Sequence, residues 1–269
     1  MKPRSPRPGE PSADPPASSR PARPPGARPP VPAPAAGPEP GPVALPIVCA
    51  VSCLAAAAIL GLLARTPAWT RADLRLADLV HELRHPWLTA VAEAFRVAFL
   101  PPAVIAVCAV TVILLLLARR YGGAVLTALL MTACWSTNSV YKALFDRPRP
   151  APERQLVPEL GQDGFPSGHV AVTLALAIAW CLLSIGSRRF RRAVAAGAVL
   201  VATQAFARVY LGAHHPTDVV GALLVAGAAA TAVIVLCGPL AARLDRAAPP
   251  GRAPGRGTGQ AGPVPPHGS

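Results

Sequence analysis

Six stretches of this chain are apolar over about the ~20 residues that an α-helix needs to cross bilayer hydrocarbon. They run over 43–64, 98–118, 123–144, 168–186, 192–211 and 217–240. In hydrocarbon every backbone N–H and C=O must find a partner within the protein, so stretches of this kind become helices. The expected fold is all-α and polytopic: a six-transmembrane-helix bundle over 43–240, with disordered tails at 1–42 and 241–269. With 52% of residues hydrophobic and 14% charged, the chain is too apolar for an ordinary soluble domain. The first tail is dominated by Pro, Ala, Arg and Ser, and has neither the backbone donors nor the apolar area to offset its ordering entropy. The apolar run that follows it is long enough to stay as an anchor rather than be cleaved as a signal peptide. Pro101-Pro102 open the second span, where the first helical N–H groups lack intrahelical partners anyway.

A net charge of +13 raises the question of nucleic acid. The arginines, however, flank the apolar stretches or sit in the tails, without any nucleic-acid-binding module, so the bilayer and not nucleic acid is the expected partner. Lys2, Arg4, Arg7, Arg119, Arg120, Arg188, Arg189, Arg191, Arg192, Arg243 and Arg246 all fall on one side of a six-span plan. The positive-inside rule makes that side cytoplasmic, with both termini on it. The loops 65–97, 145–167 and 212–216 then face outward; Arg65, Arg71, Arg75 and Arg84 oppose this, accompanied by Asp73, Asp78 and Glu82. Residues 66–97 mix charge with periodic Leu74, Leu76, Leu79, Val80 and Leu83, the pattern of a short amphipathic helix on the bilayer surface. The six cysteines lie in apolar stretches without a C-x-x-C pair and read as small hydrophobes, not as disulfides or metal ligands.

The remaining polar residues gather in three short segments at the outward ends of these stretches. Lys142 through Arg149-Pro150 places three cations within eight residues. Arginine offers a planar fork and lysine a point charge to phosphate oxygens, although snorkelling at the interface would look the same. Pro166-Ser167-Gly168-His169 opens the fourth span, where unpaired backbone N–H groups suit an anion. Ser167 can cap that helix, Gly168 permits close approach, and His169 sits in the first turn; the alternative is an N-cap serine beside an incidental polar residue. Between the last two spans, Arg208, His214 and Asp218 stand six and then four apart. A carboxylate in the first turn of the sixth span can take a hydrogen bond from one nitrogen of His214 and leave the other free to attack. Asp218 would serve a helix N-terminus equally well.

Together the three segments resemble the type 2 phosphatidic acid phosphatase family of integral-membrane lipid phosphatases, related to bacterial acid phosphatases and vanadium haloperoxidases. Lys142-x6-Arg149-Pro150, Pro166-Ser167-Gly168-His169 and Arg208-x5-His214-x3-Asp218 match its three motifs in order, with Ala207 where the family has serine. The resemblance implies that Lys142, Arg149, Ser167, Gly168 and Arg208 hold the phosphoryl group, without metal or other cofactor. It implies that His214 attacks phosphorus, Asp218 orients it, and His169 protonates the departing lipid oxygen. The register selects His214 over His215. The implied substrate is a phosphorylated lipid; the Ala/Arg/Pro-rich composition leans towards a polyprenyl diphosphate over phosphatidate-type lipids. Phosphotransfer to another hydroxyl, and a non-catalytic lipid-binding protein, are the alternatives.

Overall fold

The structure, a computed structural model, describes residues 43–159, 161 and 163–247. The tail expected at 1–42, and the part of the second tail from 248 onwards, lie outside the described residues. The described chain forms α1 (Ala44–Ala64), α2 (Pro67–His81), α3 (Pro86–Ala98), α4 (Pro101–Leu117), α5 (Tyr121–Phe145), a 3-10 turn (Pro152–Arg154), α6 (Gly168–Leu183), α7 (Phe190–Tyr210) and α8 (Pro216–Ala247).

Each expected span coincides with a helix, α1 and α4 through α8 in turn. By length and composition, α1, α7 and α8 are able to cross a membrane; α3 and α4, bent by 59° at their break, pass the same test only as a pair. That is coarser than the six crossings expected. At 16 residues α6 is short of the ~20 required, and the second half of α5 carries Asn138, Ser139 and Lys142.

Two expectations are corrected. Helix α8 runs through Ala247, past the boundary placed at 240. The extra turns are packed: Asp245 accepts the backbone N–H of Gly122 at 2.7 Å, tying the end of α8 to the start of α5. A Cβ on Gly122 would collide with the Ala241 carbonyl. Residues 66–97 form two helices rather than one surface helix. Thr66 caps α2, accepting from Trp69 N–H at 3.4 Å, and Pro67 takes its first position. Pro86 forces His85 into extended conformation (φ −147°, ψ 143°) and restarts the chain as α3. The corner is fixed by polar contacts to the end of α7. His85 N–H donates to the Tyr210 hydroxyl at 2.8 Å, and Arg84 Nε to the Tyr210 carbonyl at 3.2 Å.

Helix α8 packs against α1, α5 and α6, and α7 against α3 and α6. Small residues line these contacts: Ala57, Gly61 and Ala64 on α1, and Ala222, Ala226 and Ala230 on α8, are buried. Apolar solvent supplies no hydrophobic drive between helices in a membrane, so close approach of small residues is what holds them. Larger apolar side chains such as Leu45, Ile59, Ile105, Leu117 and Leu236 point outward. The ends of α5 and α7 and the starts of α6 and α8 meet at one end of the bundle, joined there by Gly212 in the left-handed region (φ 74°), where a Cβ would strike the Arg154 carbonyl.

The six cysteines are free, with Cys134 buried and Cys49 exposed. Gly61 lies close against α5, since a Cβ there would lie 2.7 Å from the Phe145 ring. Gly61→Leu is expected to destabilise the protein by roughly 1–3 kcal/mol through overpacking, read as a lowered Tm in detergent, whereas an unchanged Tm would show that α1 is free to move away.

Candidate active site

The end of α5 is set by Asp146, which adopts the left-handed conformation (φ 39°) and turns the chain away after its N–H bonds the Lys142 carbonyl at 3.0 Å. The segment that follows carries Arg147 and Arg149 back under the bundle. It is pinned by Gly164 N–H to the Arg147 carbonyl at 2.6 Å and by the bridge between Pro148 and Asp163. Helix α6 starts at Gly168, and the Ser167 N–H donates to the Asp218 carbonyl at 3.0 Å, which joins the starts of α6 and α8. Helix α8 begins with Pro216 and has Asp218 in its first turn.

These ends bring the motif residues together. Arg149 Nη1 lies 3.2 Å from His214 Nε2 and donates to the Ala213 carbonyl at 3.0 Å. Arg208 is fully buried, and Glu159 contacts both arginines, at 2.6 Å from Arg208 Nη2 and 3.9 Å from Arg149 Nη1. Lys142 Nζ donates to the Asp163 carbonyl at 2.7 Å. A Cβ on Gly168 would lie 4.0 Å from Lys142 Cε, which places the start of α6 beside that lysine. His169 stands within electrostatic reach of Arg208 and Arg149.

His214 is buried between its two functions. Its Nδ1 is 3.4 Å from Asp218 Oδ2, and its Nε2 meets Arg149. Burial first, and then the charges of Arg149 and Arg208, hold its pKa well below the ordinary imidazole value, against the pull of Asp218. The ring is therefore neutral at physiological pH, the state in which a nitrogen lone pair attacks. His215 Nδ1 is also 3.4 Å from Asp218 Oδ2, so distance to the carboxylate does not separate the two histidines. Their other contacts differ: His214 Nε2 meets Arg149 at 3.2 Å, while His215 lines a cavity of about 370 Å³ that Arg65, Arg147, Arg149 and Arg154 also line.

Ser167 departs from its expected role: its hydroxyl makes no helix-capping hydrogen bond. Ser167 Oγ, His169 Nε2, and Arg208 Nε and Nη1 are all buried without a protein partner among the described residues. Each such group costs about 1–3 kcal/mol unless it is satisfied, and their concentration here suits a ligand rich in acceptor oxygens, as phosphate is. Ala207, in the place of the family serine, packs with Ala92, Tyr210 and Leu211, an apolar contact between α7 and α3.

Several residues at this site escaped sequence reasoning. Arg147, 2% exposed, donates to Asp218 Oδ1 at 2.6 Å, to Thr217 Oγ1 at 2.7 Å and to Asp73 Oδ2 at 2.7 Å. Asp73 on α2 also accepts the Thr217 N–H at 3.1 Å and the Thr217 hydroxyl. Arg96 of α3 adds a further cation near Arg208 and His169. The cation count around Lys142 had included Arg147, but nothing in the spacing distinguished it from a snorkelling residue. Asp73 read as a charge balancing its arginine neighbours, and Glu159 carried no signal.

Residues 121–240 match the family model of the PAP2 superfamily. No curated protein matches the chain. Among solved structures, the first transmembrane PAP2-type phosphatidylglycerolphosphate phosphatase from Bacillus subtilis aligns over 76% of this chain and 98% of its own, at 22% identity and a TM-score of 0.60. LpxE of Aquifex aeolicus aligns over 63% of this chain and 94% of its own, at 24% identity and a TM-score of 0.47. The Bacillus likeness is one of fold, and it extends beyond the matched segment to most of the bundle. Every residue of the three motifs lies within 121–240, the segment that matches the PAP2 superfamily model.

Proposed function

We propose that this protein is a membrane lipid phosphatase that hydrolyses phosphate or diphosphate monoesters of lipids through a phosphohistidine on His214. The observation that carries this reading is the placement of a neutral, buried imidazole with one nitrogen toward a carboxylate and the other 3.2 Å from Arg149.

Lys142, Arg149 and Arg208 bind the phosphoryl oxygens, with Ser167 Oγ and the backbone N–H groups at the start of α6. His214 Nε2 attacks phosphorus, a P–N bond forms, and the bond from phosphorus to the lipid oxygen breaks. Asp218 keeps Nδ1 in place and stabilises the ring as it gains positive charge. His169 gives its proton to the departing oxygen and then takes one from a water molecule, whose oxygen displaces His214 and completes inorganic phosphate. The clustered cations stabilise the charge on the equatorial oxygens through the transfer, the largest electrostatic demand of the reaction. The substrate is a phosphorylated lipid reaching the site from the bilayer, a polyprenyl diphosphate ahead of phosphatidate-type lipids. In a six-span plan with both termini in the cytoplasm, the shared end of α5, α6, α7 and α8 opens on the extracytoplasmic side.

Phosphate release by the detergent-purified protein tests this. Undecaprenyl diphosphate, phosphatidate and phosphatidylglycerol phosphate are offered in parallel, with and without EDTA, and kcat/KM ranks them. Release is expected to survive EDTA, to disappear in His214→Ala and to persist in His215→Ala; the opposite pattern in the two variants would move the nucleophile to the neighbouring ring. Acceptor-dependent loss of free phosphate would mark phosphotransfer instead.

The pH profile follows from the lowered His214 pKa. His214 must be neutral to attack, so activity is lost only as pH falls through a value below the ordinary 6.5. The acid limb of kcat/KM is therefore expected below the ordinary imidazole value of 6.5. An acid limb at 7 or above would contradict the burial of His214.

Glu159 occupies Arg208 where substrate oxygens would bind. Glu159→Gln removes that competing charge, and inorganic phosphate or vanadate is expected to inhibit about tenfold more tightly, given the strength of a charge-assisted hydrogen bond. Unchanged inhibition constants would show that Glu159 and the phosphate do not share the arginine.

A further inference from the structure

Behind the proposed nucleophile lies a buried chain of charge that the reaction itself does not use. Arg147 sits between two carboxylates, Asp218 of α8 at 2.6 Å and Asp73 of α2 at 2.7 Å, and all three side chains are buried. Its Nη1 also reaches Thr217, whose N–H and hydroxyl both go to Asp73. A buried ion pair is costly to form and still costlier to break one-sidedly, so such a chain persists where its geometry is used. Here it determines which oxygen of Asp218 faces the histidines. Oδ1 accepts from Arg147, whereas Oδ2 accepts the His215 N–H at 2.8 Å and lies 3.4 Å from both imidazoles.

We infer that Arg147 and Asp73 are positioning residues for the His214–Asp218 pair, Arg147 holding Oδ1 so that Oδ2 is turned to the imidazoles and Asp73 anchoring that clamp to α2. The inference rests on the reading of His214 as the nucleophile and extends it to two residues outside the three motifs. The clamp also sets charge. An isolated carboxylate beside an imidazole favours the imidazolium, which has no lone pair on the attacking nitrogen. Arg147 offsets the Asp218 charge, and Asp73 shares Arg147, so the negative charge that His214 meets is set by all three. The other charged groups around His214 are Arg149 after α5 and Arg208 on α7; the His215 ring shares Asp218 Oδ2 on its other side.

Opposite shifts are the signature. Without Arg147, Asp218 acts on His214 uncompensated, and the ring protonates at higher pH. Without the Asp73 charge, Arg147 bears on Asp218 alone, and the ring protonates at lower pH. The test is the His214 titration, followed by NMR of histidine-labelled full-length protein in detergent and assigned against His214→Gln, together with the acid limb of kcat/KM. Arg147→Gln is expected to raise both by roughly one pH unit and Asp73→Asn to lower both. Arg147→Lys keeps the charge but not the planar fork. Its titration is expected to stay near the wild-type value while kcat falls about a hundredfold, the scale of a misplaced catalytic group.

Equal titrations in wild type, Arg147→Gln and Asp73→Asn would overturn the inference, and so would a shift of both variants in the same direction. Should Arg147→Gln not fold, Asp73→Asn and Arg147→Lys carry the test; failure of all three to fold would make the clamp purely structural and also overturn it. The two readings separate cleanly. Opposite titration shifts in a protein that releases phosphate from no lipid would retain the clamp and discard the phosphatase, while EDTA-resistant release with unmoved titrations would do the reverse.

Discussion

Asp218 is fully buried in the first turn of α8, and the arrangement of the candidate site depends on how its oxygens are satisfied. Its carbonyl takes the Ser167 N–H and so fixes the start of α6 to the start of α8. One carboxylate oxygen takes Arg147 from the segment after α5, and the other takes the His215 N–H that shapes the loop after α7. A carboxylate in an apolar bundle is tolerable only when fully paired, because its desolvation otherwise outweighs any contact it makes. That requirement draws α5, α6, α7 and α8 to one point. The same contacts that make Asp218 affordable are those that bring Arg149 and His214 together.

Most of this arrangement was legible in the sequence, for a physical reason. Membrane helices advertise themselves by length and hydropathy, so α1 and α4 through α8 could be placed to within a few residues over most of their ends. Polar residues at their termini, Lys142, Arg149, Ser167, His169, Arg208, His214 and Asp218, stand out because hydrocarbon leaves them no other use. Legibility failed where tertiary contact, not local pattern, decides. Residues 66–97 alternate apolar and charged as a surface helix does, yet Pro86 breaks them and Asp73 turns inward to Arg147. Helix α8 continues past 240 although Arg243 and Arg246 there have the composition of a cytoplasmic flank. The Asp245 carboxylate, bonded to the Gly122 N–H of another helix, keeps the chain helical.

Close packing by small residues and a polar, cationic pocket are usually opposed, since one calls for tight approach and the other for room. The two are separated along the helix axes. Ala222, Ala226 and Ala230 on α8 face their neighbours through the middle of the bundle, while Asp218 and the loop histidines occupy its end. Gly212 allows the chain to turn against the Arg154 carbonyl without pushing the loop away. The pocket therefore inherits the rigidity of four helix ends, which an array of positioned donors requires, since donors free to swing would lose their advantage over water.

The charge balance of that pocket explains how it can exist before a phosphate arrives. Arg149 and Arg208 would repel one another, and burial sharpens the repulsion. Glu159 lies against both, Lys142 bonds the Asp163 carbonyl, and Arg149 bonds the Gly161 carbonyl. Acceptors from one connecting segment thus satisfy donors of all three cations, in the manner that phosphate oxygens would. On the proposed reading, a phosphate ester entering the site would exchange these acceptors for its own and would also meet the unpartnered Ser167 Oγ and Arg208 Nε and Nη1. Such an exchange would moderate the affinity for the ground state and for released phosphate alike. The transition state, with its added equatorial charge, gains more from the same cations than either, and that difference is what accelerates a reaction.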